Sequence, residues 1–324
     1  MITCYLQEDG LLKRRRWEEN EPLPESAVWL DLFAPTHWED KLTESLLGIG
    51  VPTQEEMKEI ETSSRLYVED GGVYMTTTLL CGIAEGRPGT TPVTFILIGN
   101  RLVTVRYDEP KAFPLAAHRL QKPQSEPVSA ALALVDLLDA VVERTADILE
   151  AIAAEIDLIS RSVFEAGISD RRGGPDFHDV IRAIGRQGML TNRAQESLMS
   201  LSRTLAFLGL HQGNGQLVRH RGTIKSMTRD VRSLSDHAAS LDTKINFLLD
   251  AVLGLVNLDQ SAIIKIFSVL AVVFMPPTLI ASIYGMNFQF MPELEWHYGY
   301  MVSIGLMVVS AVGTYGFFRW KRWL

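Results

Sequence analysis

The strongest pattern along the chain is a pair of long segments without charged residues near the C-terminus. Residues 266–284 and 299–318 contain no Asp, Glu, Lys or Arg. A helix needs about 20 mainly apolar residues to cross a bilayer, so each segment is long enough. Two buried helices of a soluble domain are the alternative, but apolar runs of this length are rare in soluble cores. The pattern predicts two transmembrane helices joined by a loop at residues 285–298.

Basic residues flank these two segments on the sides away from the loop. They are Lys265, Arg319, Lys321 and Arg322. Because Lys and Arg accumulate in cytoplasmic segments, residues 1–265 and the tail 319–324 are predicted to face the cytoplasm. The loop is then external, and its acids Glu293 and Glu295 are candidates for a cation-attracting outer mouth. The alternative for both is an ordinary solvated loop acid.

Short β-rich runs alternate with helical runs over residues 1–125, which predicts a cytoplasmic α/β domain. Strands are expected at the start of the chain, in residues 27–33, and in two hairpins over 65–80 and 94–109 with Gly-Gly and Gly-Asn turns. Thr36 has the position of a helix N-cap, with a Gly stop about twelve residues later. Thr53 and Glu56 have the spacing of a second capping box.

The chain beyond residue 125 is mainly helix-forming. Helices are expected at 130–166 and 178–210, within a hairpin covering 126–221. A stalk helix over 222–265 continues into the first transmembrane helix, where Pro276 and Pro277 are expected to break or bend it. Apolar residues of the stalk follow a 4-3 spacing, a pattern by which long helices pack, most simply against copies of themselves. This seam comprises Met227, Val231, Leu234, Ala238, Leu241, Ile245, Leu248, Val252 and Leu255.

One face of the stalk and first transmembrane helix carries small and polar residues. At 100° per residue they fall within an arc of roughly 100°. This stripe comprises Asp250, Asn257, Ser261, Ile264, Ser268, Ala271, Met275, Thr278 and Ser282. Small and hydroxyl residues also promote helix association in membranes, which is the alternative. The extension of the stripe to Asp250 favours a pore wall, in which Ile264 and Met275 would form apolar constrictions that gate by dewetting.

The overall composition fits a large water-soluble region with a small membrane part. The 324 residues have a mean hydropathy of +0.08 and a net charge of −8, which disfavours nucleic acid as a partner. Cys4 and Cys81 lack the spacing of a zinc site and are predicted to be small core residues. No Walker loop, GxGxxG, HExxH or GxSxG motif is present, so an enzyme is not expected.

Several motifs near the C-terminus resemble the CorA family of magnesium transport proteins. They are Gly285-Met286-Asn287 within FMPPTLIASIYGMNF (residues 274–288), then MPEL (291–294) and the chain end KRWL. The resemblance covers the whole chain in outline. It implies an α+β membrane protein: an N-terminal α/β domain, a long helical stalk and two C-terminal transmembrane helices, assembled as a funnel-shaped homopentamer in the inner membrane.

The resemblance also implies a function and its residues. The transported ion is Mg²⁺, with Co²⁺ and Ni²⁺ as competing ions, and the partners are copies of the chain and membrane lipid. Gly285, Met286 and Asn287 would form the selectivity filter. Asp250, Met275 and Thr278 fall on pore-lining positions of the family; Ser261, Ile264 and Phe267 stand where relatives vary.

Regulation by cytosolic Mg²⁺ between subunits is a further implication of the resemblance. The candidate ligands are acids of the stalk and of one hairpin, which are Glu69, Asp70, Asp230, Asp236 and Asp242, together with Asp250. The alternative for each is a solvated acid on a charged face. A zinc transporter of the same superfamily and a non-conducting membrane sensor or scaffold remain as alternative functions.

Overall fold

The computed structural model describes residues 1–8, 11–17, 22–83, 86–123, 127–169, 177–210, 215–286, 291 and 296–321. Two compact units result, Met1–Leu249 and Asp250–Leu324. Three residues assigned to the predicted filter and outer mouth, Asn287, Glu293 and Glu295, lie outside the described residues.

The first unit contains a seven-stranded sheet. Its strands are β1 (Ile2–Glu8), β2 (Leu11–Arg16), β3 (Ala27–Phe33), β4 (Leu66–Glu69), β5 (Gly72–Cys81), β6 (Gly89–Ile98) and β7 (Arg101–Arg106). Their order is β2-β1-β3-β7-β6-β5-β4. Only β3 and β7 pair in parallel; the other neighbours are antiparallel. The sequence did not predict β2, whose basic residues 13–16 are exposed along an edge of the sheet, where charge opposes strand pairing between molecules.

Both predicted hairpins are confirmed. Asp70 and Gly71 join β4 to β5 with φ angles of 47° and 76°, so the two-residue turn is Asp-Gly rather than Gly-Gly. Positive φ at both central positions is the requirement of a type I′ hairpin turn. Gly99 and Asn100 form the two-residue turn between β6 and β7, in which only Gly99 has a positive φ, of 52°.

The helices of the described residues are α1 (His37–Leu47), α2 (Thr62–Arg65), α3 (Ala112–Leu120), α4 (Ala130–Ser169), α5 (Phe177–Leu210), α6 (Gly215–Val218), α7 (Arg221–Tyr284) and α8 (Gly299–Trp320). Thr36 and Glu39 form the capping box of α1, and Gly48 ends this helix in the left-handed conformation. Thr53 and Glu56 also exchange both capping hydrogen bonds. This capping box is followed only by a 3-10 turn, Glu56–Lys58. Met57 is the one buried residue of the turn, and no apolar stripe continues beyond it to form a longer helix.

The sheet is covered on both faces. On one face, Ile49, Val51 and Met57 pack with β1 and β3 in a buried cluster that also contains Cys4. On the other face, Phe113 of α3 stacks near Phe95, and α4 and α5 complete the layer. Cys4 is therefore a core residue, as predicted, whereas Cys81 at the end of β5 is only partly buried.

The apolar seam of α7 is buried within a single chain. Met227, Val231, Ala238, Leu241, Ile245, Leu248 and Val252 are buried, and Leu234 and Leu255 are partly buried. Ile245 lies against Gly188 of α5, where an added Cβ would be 3.6 Å from its Cγ2. Lys244 forms an ion pair with Asp157 of α4. The predicted seam is confirmed, and at Lys244 and Ile245 its partners are helices of the same chain.

Helix α7 is continuous through Pro276 and Pro277. The prolines were expected to break or bend the helix: the expected break is wrong, and a bend stays a prediction. Each proline removes one backbone N–H donor, which leaves a carbonyl one turn earlier without its helical partner. A membrane helix tolerates this where neighbouring helices, side chains or water donate hydrogen bonds to the freed carbonyls.

Candidate ion-conduction site and acidic groups

The helices of the second unit have the length and composition of membrane spans. Both α7 and α8 contain an 18-residue apolar window with at most two charged residues, and only 6% of each window is buried. The core helix of a soluble protein has the same composition but is mostly buried by its own chain. Apolar surface of this extent, left uncovered by the chain, needs lipid or other transmembrane helices around it.

The small and polar stripe of α7 is exposed over its whole length, from Asp250 to Ser282. Ile264 and Met275 are 64% and 65% exposed, so the chain itself covers neither candidate constriction. Val269 is the only buried side chain from Leu253 to Met286. It lies roughly 120° round the helix from Met275, so the stripe faces away from the one packed position. Phe267 lies roughly 80° from Met275, at the edge of the stripe.

Hydroxyl groups of the stripe are bonded to their own helix. Ser261 Oγ donates to the carbonyl of Asn257, and Thr278 Oγ1 donates to the carbonyl of Phe274, both at 2.8 Å. With the proton used in this way, the oxygen lone pairs point outward as acceptors. Mg²⁺ binds oxygen and keeps several of its waters. Such a face can accept hydrogen bonds from a hydrated cation without replacing its water shell.

The end of α7 carries the described part of the predicted filter. The N–H of Gly285 donates to the carbonyl of Ala281 at 2.9 Å, and the N–H of Met286 donates to the carbonyl of Ile283 at 3.3 Å. A Cβ on Gly285 would lie 3.0 Å from the Ala281 carbonyl oxygen, which leaves little room for any other residue. Met286 is 46% exposed, directly before the undescribed Asn287.

The candidate regulatory acids lie on exposed surfaces of the first unit. Glu69 ends the edge strand β4, and Asp70 occupies the following turn. Asp230 and Asp236 are exposed on α7, whereas Asp242 is partly buried and accepts a hydrogen bond from Asn246 at 3.3 Å. Among the described residues of the single chain, no three His, Cys, Asp or Glu side chains are grouped to hold a metal ion.

A second acidic group escaped sequence reasoning. Asp136, Asp139 and Glu143 lie on one face of α4 beside Arg119 of α3, which pairs with Glu143 and, at 3.7 Å, with Asp139. Burial raises the pKa of Asp136 to about 6, and its Oδ2 has no hydrogen-bond partner in the described part of the chain. The pKa of Asp139 is raised mainly by burial and next by the negative charge of Glu143, and Asp230 of α7 raises it further. These acids are three and four residues apart, so the sequence alone could have placed them on one face of a helix.

Comparisons with known proteins identify the family. The sequence model described as CorA-like Mg²⁺ transporter protein matches residues 24–322. The magnesium transport protein CorA of Escherichia coli strain K12 is 35% identical over 326 residues, which cover 100% of both chains. The chain belongs to the CorA family. The CorA protein of Pectobacterium atrosepticum is similar to it to nearly the same degree, 34% over the full length of both chains.

A solved CorA structure supports the architecture. The CorA magnesium transporter of Methanocaldococcus jannaschii superimposes with a TM-score of 0.77 at 19% identity, covering 100% of this chain and 99% of that one. At this identity the likeness establishes the fold alone. The predicted N-terminal α/β domain, long helix and two apolar C-terminal helices are confirmed, as is the family predicted from the Gly285-Met286-Asn287 region.

Proposed function

We propose that this protein carries Mg²⁺ across the inner membrane into the cytoplasm, with Co²⁺ and Ni²⁺ as competing ions. The observation that carries the proposal is the identity of 35%, end to end, with a protein named for magnesium transport. Two exposed apolar helices long enough to span a bilayer support it.

The pore is formed by the α7 stripes of five copies, a number implied by the family resemblance. Hydrated Mg²⁺ passes along a wall of hydroxyl and amide oxygens, because these accept hydrogen bonds from its waters without stripping them. Gly285, Met286 and Asn287 form the outer filter, and Glu293 and Glu295 raise the local cation concentration. Ile264, Phe267 and Met275 form apolar constrictions, and the pore closes when water leaves them.

Flux through purified full-length protein tests this function. The protein is placed in liposomes that contain a Mg²⁺-sensitive dye, and uptake is compared for the unmodified chain, Asn287→Ala and Gln289→Ala. Because an amide that bonds a cation's water shell is worth about 1.5–3 kcal/mol, we expect Asn287→Ala to lower uptake about tenfold or more. Gln289→Ala removes an amide from the same loop and should leave uptake near that of the unmodified protein.

The outcomes separate the alternatives. Uptake by Asn287→Ala equal to that of the unmodified chain would remove this residue from the filter. Faster uptake of Zn²⁺ than of Mg²⁺ would favour a zinc transporter. If no divalent cation enters although the oligomer is intact, the protein is a membrane sensor or scaffold and the proposal fails.

Cytosolic Mg²⁺ closes the channel by bridging acids of adjacent subunits. The exposure of Glu69, Asp70, Asp230 and Asp236 supports this, since unpaired carboxylates facing each other repel and a bridging cation favours the closed state. Millimolar Mg²⁺ should slow proteolysis of residues 1–249 in the same preparation. Asp236→Asn combined with Asp230→Asn should reduce that protection, and equal proteolysis with and without Mg²⁺ would contradict the mechanism.

A further inference from the structure

A cleft of about 330 Å³ opens between the sheet edge and helix α5, within the first unit. Its walls come from α2, β5 and α5, and include Arg65, Thr78, Ser200 and Arg203. The cleft is remote in sequence from every residue assigned to ion conduction. Its two guanidinium groups stand out in a chain whose net charge is −8.

Arg65 has hydrogen-bond donors to spare. Its Nε donates to the carbonyl of Glu59, and its Nη1 donates to Thr78 Oγ1 at 3.0 Å. A guanidinium has five N–H donors, so about three of them remain. Burial lowers the pKa of Arg65, Glu196 opposes this shift, and Arg203 is close enough to lower it further. The two cations therefore disfavour each other across the cleft.

Arg203 forms no ion pair within the described part of the chain. It is exposed, and its Nη2 donates a weak hydrogen bond to the sulfur of Met199 at 3.7 Å. Neither Arg65 nor Arg203 forms an ion pair with any carboxylate in the described residues. Glu196 also lines the cleft, but its Oε2 is held by Arg193 at 3.3 Å.

Two hydroxyl groups add further donors. Ser200 Oγ accepts the backbone N–H of Thr78 at 2.9 Å, and Thr78 Oγ1 accepts from Arg65. Each hydroxyl has therefore accepted one hydrogen bond and retains its own proton to donate. The cleft thus presents two guanidinium groups and two hydroxyl donors, and Glu196 is the carboxylate among its lining residues.

We propose that this cleft binds a phosphate group, either as inorganic phosphate or as part of a small phosphorylated metabolite. Paired guanidinium groups bind phosphate oxygens in parallel hydrogen bonds, and an anion removes the repulsion between them. Ile60 and Met199, which are 85% and 58% exposed, provide apolar surface for an organic moiety beside the phosphate. Binding here is separate from ion conduction and does not depend on the proposed function.

Isothermal titration calorimetry on the full-length protein in detergent tests the site, with inorganic phosphate and adenosine monophosphate as probes and without Mg²⁺. We expect a dissociation constant of about 1 mM or lower for at least one probe. Arg203→Gln should weaken binding about tenfold or more, because charge-assisted hydrogen bonds are lost from an exposed residue that the fold does not need. Glu196→Gln should strengthen binding, since it removes the competing carboxylate.

Arg182→Gln is the matched control, because Arg182 is an exposed arginine of the same helix that pairs with Asp179. It should bind both probes as the unmodified protein does. Tighter binding of adenosine monophosphate than of phosphate identifies a phosphorylated metabolite, and equal binding identifies inorganic phosphate. Absence of binding of both probes up to about 10 mM overturns the proposal. Equal affinity of Arg203→Gln and the unmodified protein overturns it as well.

Discussion

The buried ion pair between Asp31 and Arg106 offers a sharp test of what stabilises the first unit. Arg106 Nη2 donates to Asp31 Oδ2 at 2.9 Å and its Nε donates to Oδ1 at 3.0 Å, with side chains only 9% and 5% exposed. Thr104 donates a further hydrogen bond to Asp31 at 2.8 Å. The guanidinium lies between the rings of Phe33 and Phe113, 4.6 Å from each centroid. The pair thus joins β3, β7 and α3.

The burial of this pair sets how much free energy of unfolding is lost when one partner is removed. Arg106→Met keeps much of the side-chain volume but leaves the Asp31 carboxylate buried without its cation. Removing one partner of a buried pair costs about 3–5 kcal/mol, a large part of the 5–15 kcal/mol that stabilises a typical domain. The double variant Asp31→Asn with Arg106→Met removes both charges. It should therefore cost less than Arg106→Met alone, because no uncompensated charge remains in the core.

Urea unfolding of the full-length protein in detergent, followed by tryptophan fluorescence, measures these differences. Trp29 is a suitable reporter, since it is fully buried and donates to Thr104 at 2.9 Å beside the pair. Lys41→Met is the control, because the Lys41–Glu44 pair is exposed and its loss should leave the midpoint unchanged. An Arg106→Met midpoint equal to that of the control, or a double variant as costly as the two single variants added, would refute the reasoning.

Two further predictions concern the pore and the acids of α4. Met275→Asp should make the pore leak by wetting an apolar ring, whereas Val272→Asp, roughly 60° round α7 from Met275 and just outside the stripe, should impair assembly; equal flux and equal assembly of the two variants would count against the stripe. Burial raises the pKa of Asp136 from 3.8 to about 6, so the folded state binds this proton more tightly than the unfolded state does. The free energy of unfolding therefore falls as the pH rises from about 4 to about 6. Asp136→Asn should therefore raise stability by about 1–2 kcal/mol at pH 7.5 and not at pH 4 in urea unfolding; a gain at both would contradict the assignment.

Elements with local signals were predicted well. The expected helices at 130–166 and 178–210 correspond to Ala130–Ser169 and Phe177–Leu210, since runs of helix formers and glycine-rich breaks define them without help from the rest of the fold. The hairpin turns at Asp70-Gly71 and Gly99-Asn100 are likewise local. Strand β2 was missed because its basic run lacks the apolar alternation of a half-buried strand, and only pairing with β1 orders it.

Sites formed by distant residues could not be predicted in the same way. The α7 stripe follows from helical periodicity alone, so one segment of sequence was sufficient to predict it. Arg65 and Arg203 are 138 positions apart and share a cleft only because α5 packs on β5, where Thr77 and Thr204 are hydrogen-bonded at 2.7 Å. Neither position carries a motif. The charge and donor balance of that cleft becomes visible only once tertiary contacts are known.

The burial of the α7 seam changes which surfaces can hold copies of the chain together. Since α4 and α5 already contact this region of α7, its 4-3 pattern is no argument for an oligomer. Association must instead use surface that one chain leaves uncovered, and from Leu253 to Met286 only Val269 is buried. In the proposed channel, the apolar part of that surface would favour assembly at any pH or ion concentration, whereas the exposed acids Asp230 and Asp236 would oppose close approach until a cation neutralises them. Loss of Mg²⁺ should then separate the surfaces that carry these acids while the apolar helices remain associated.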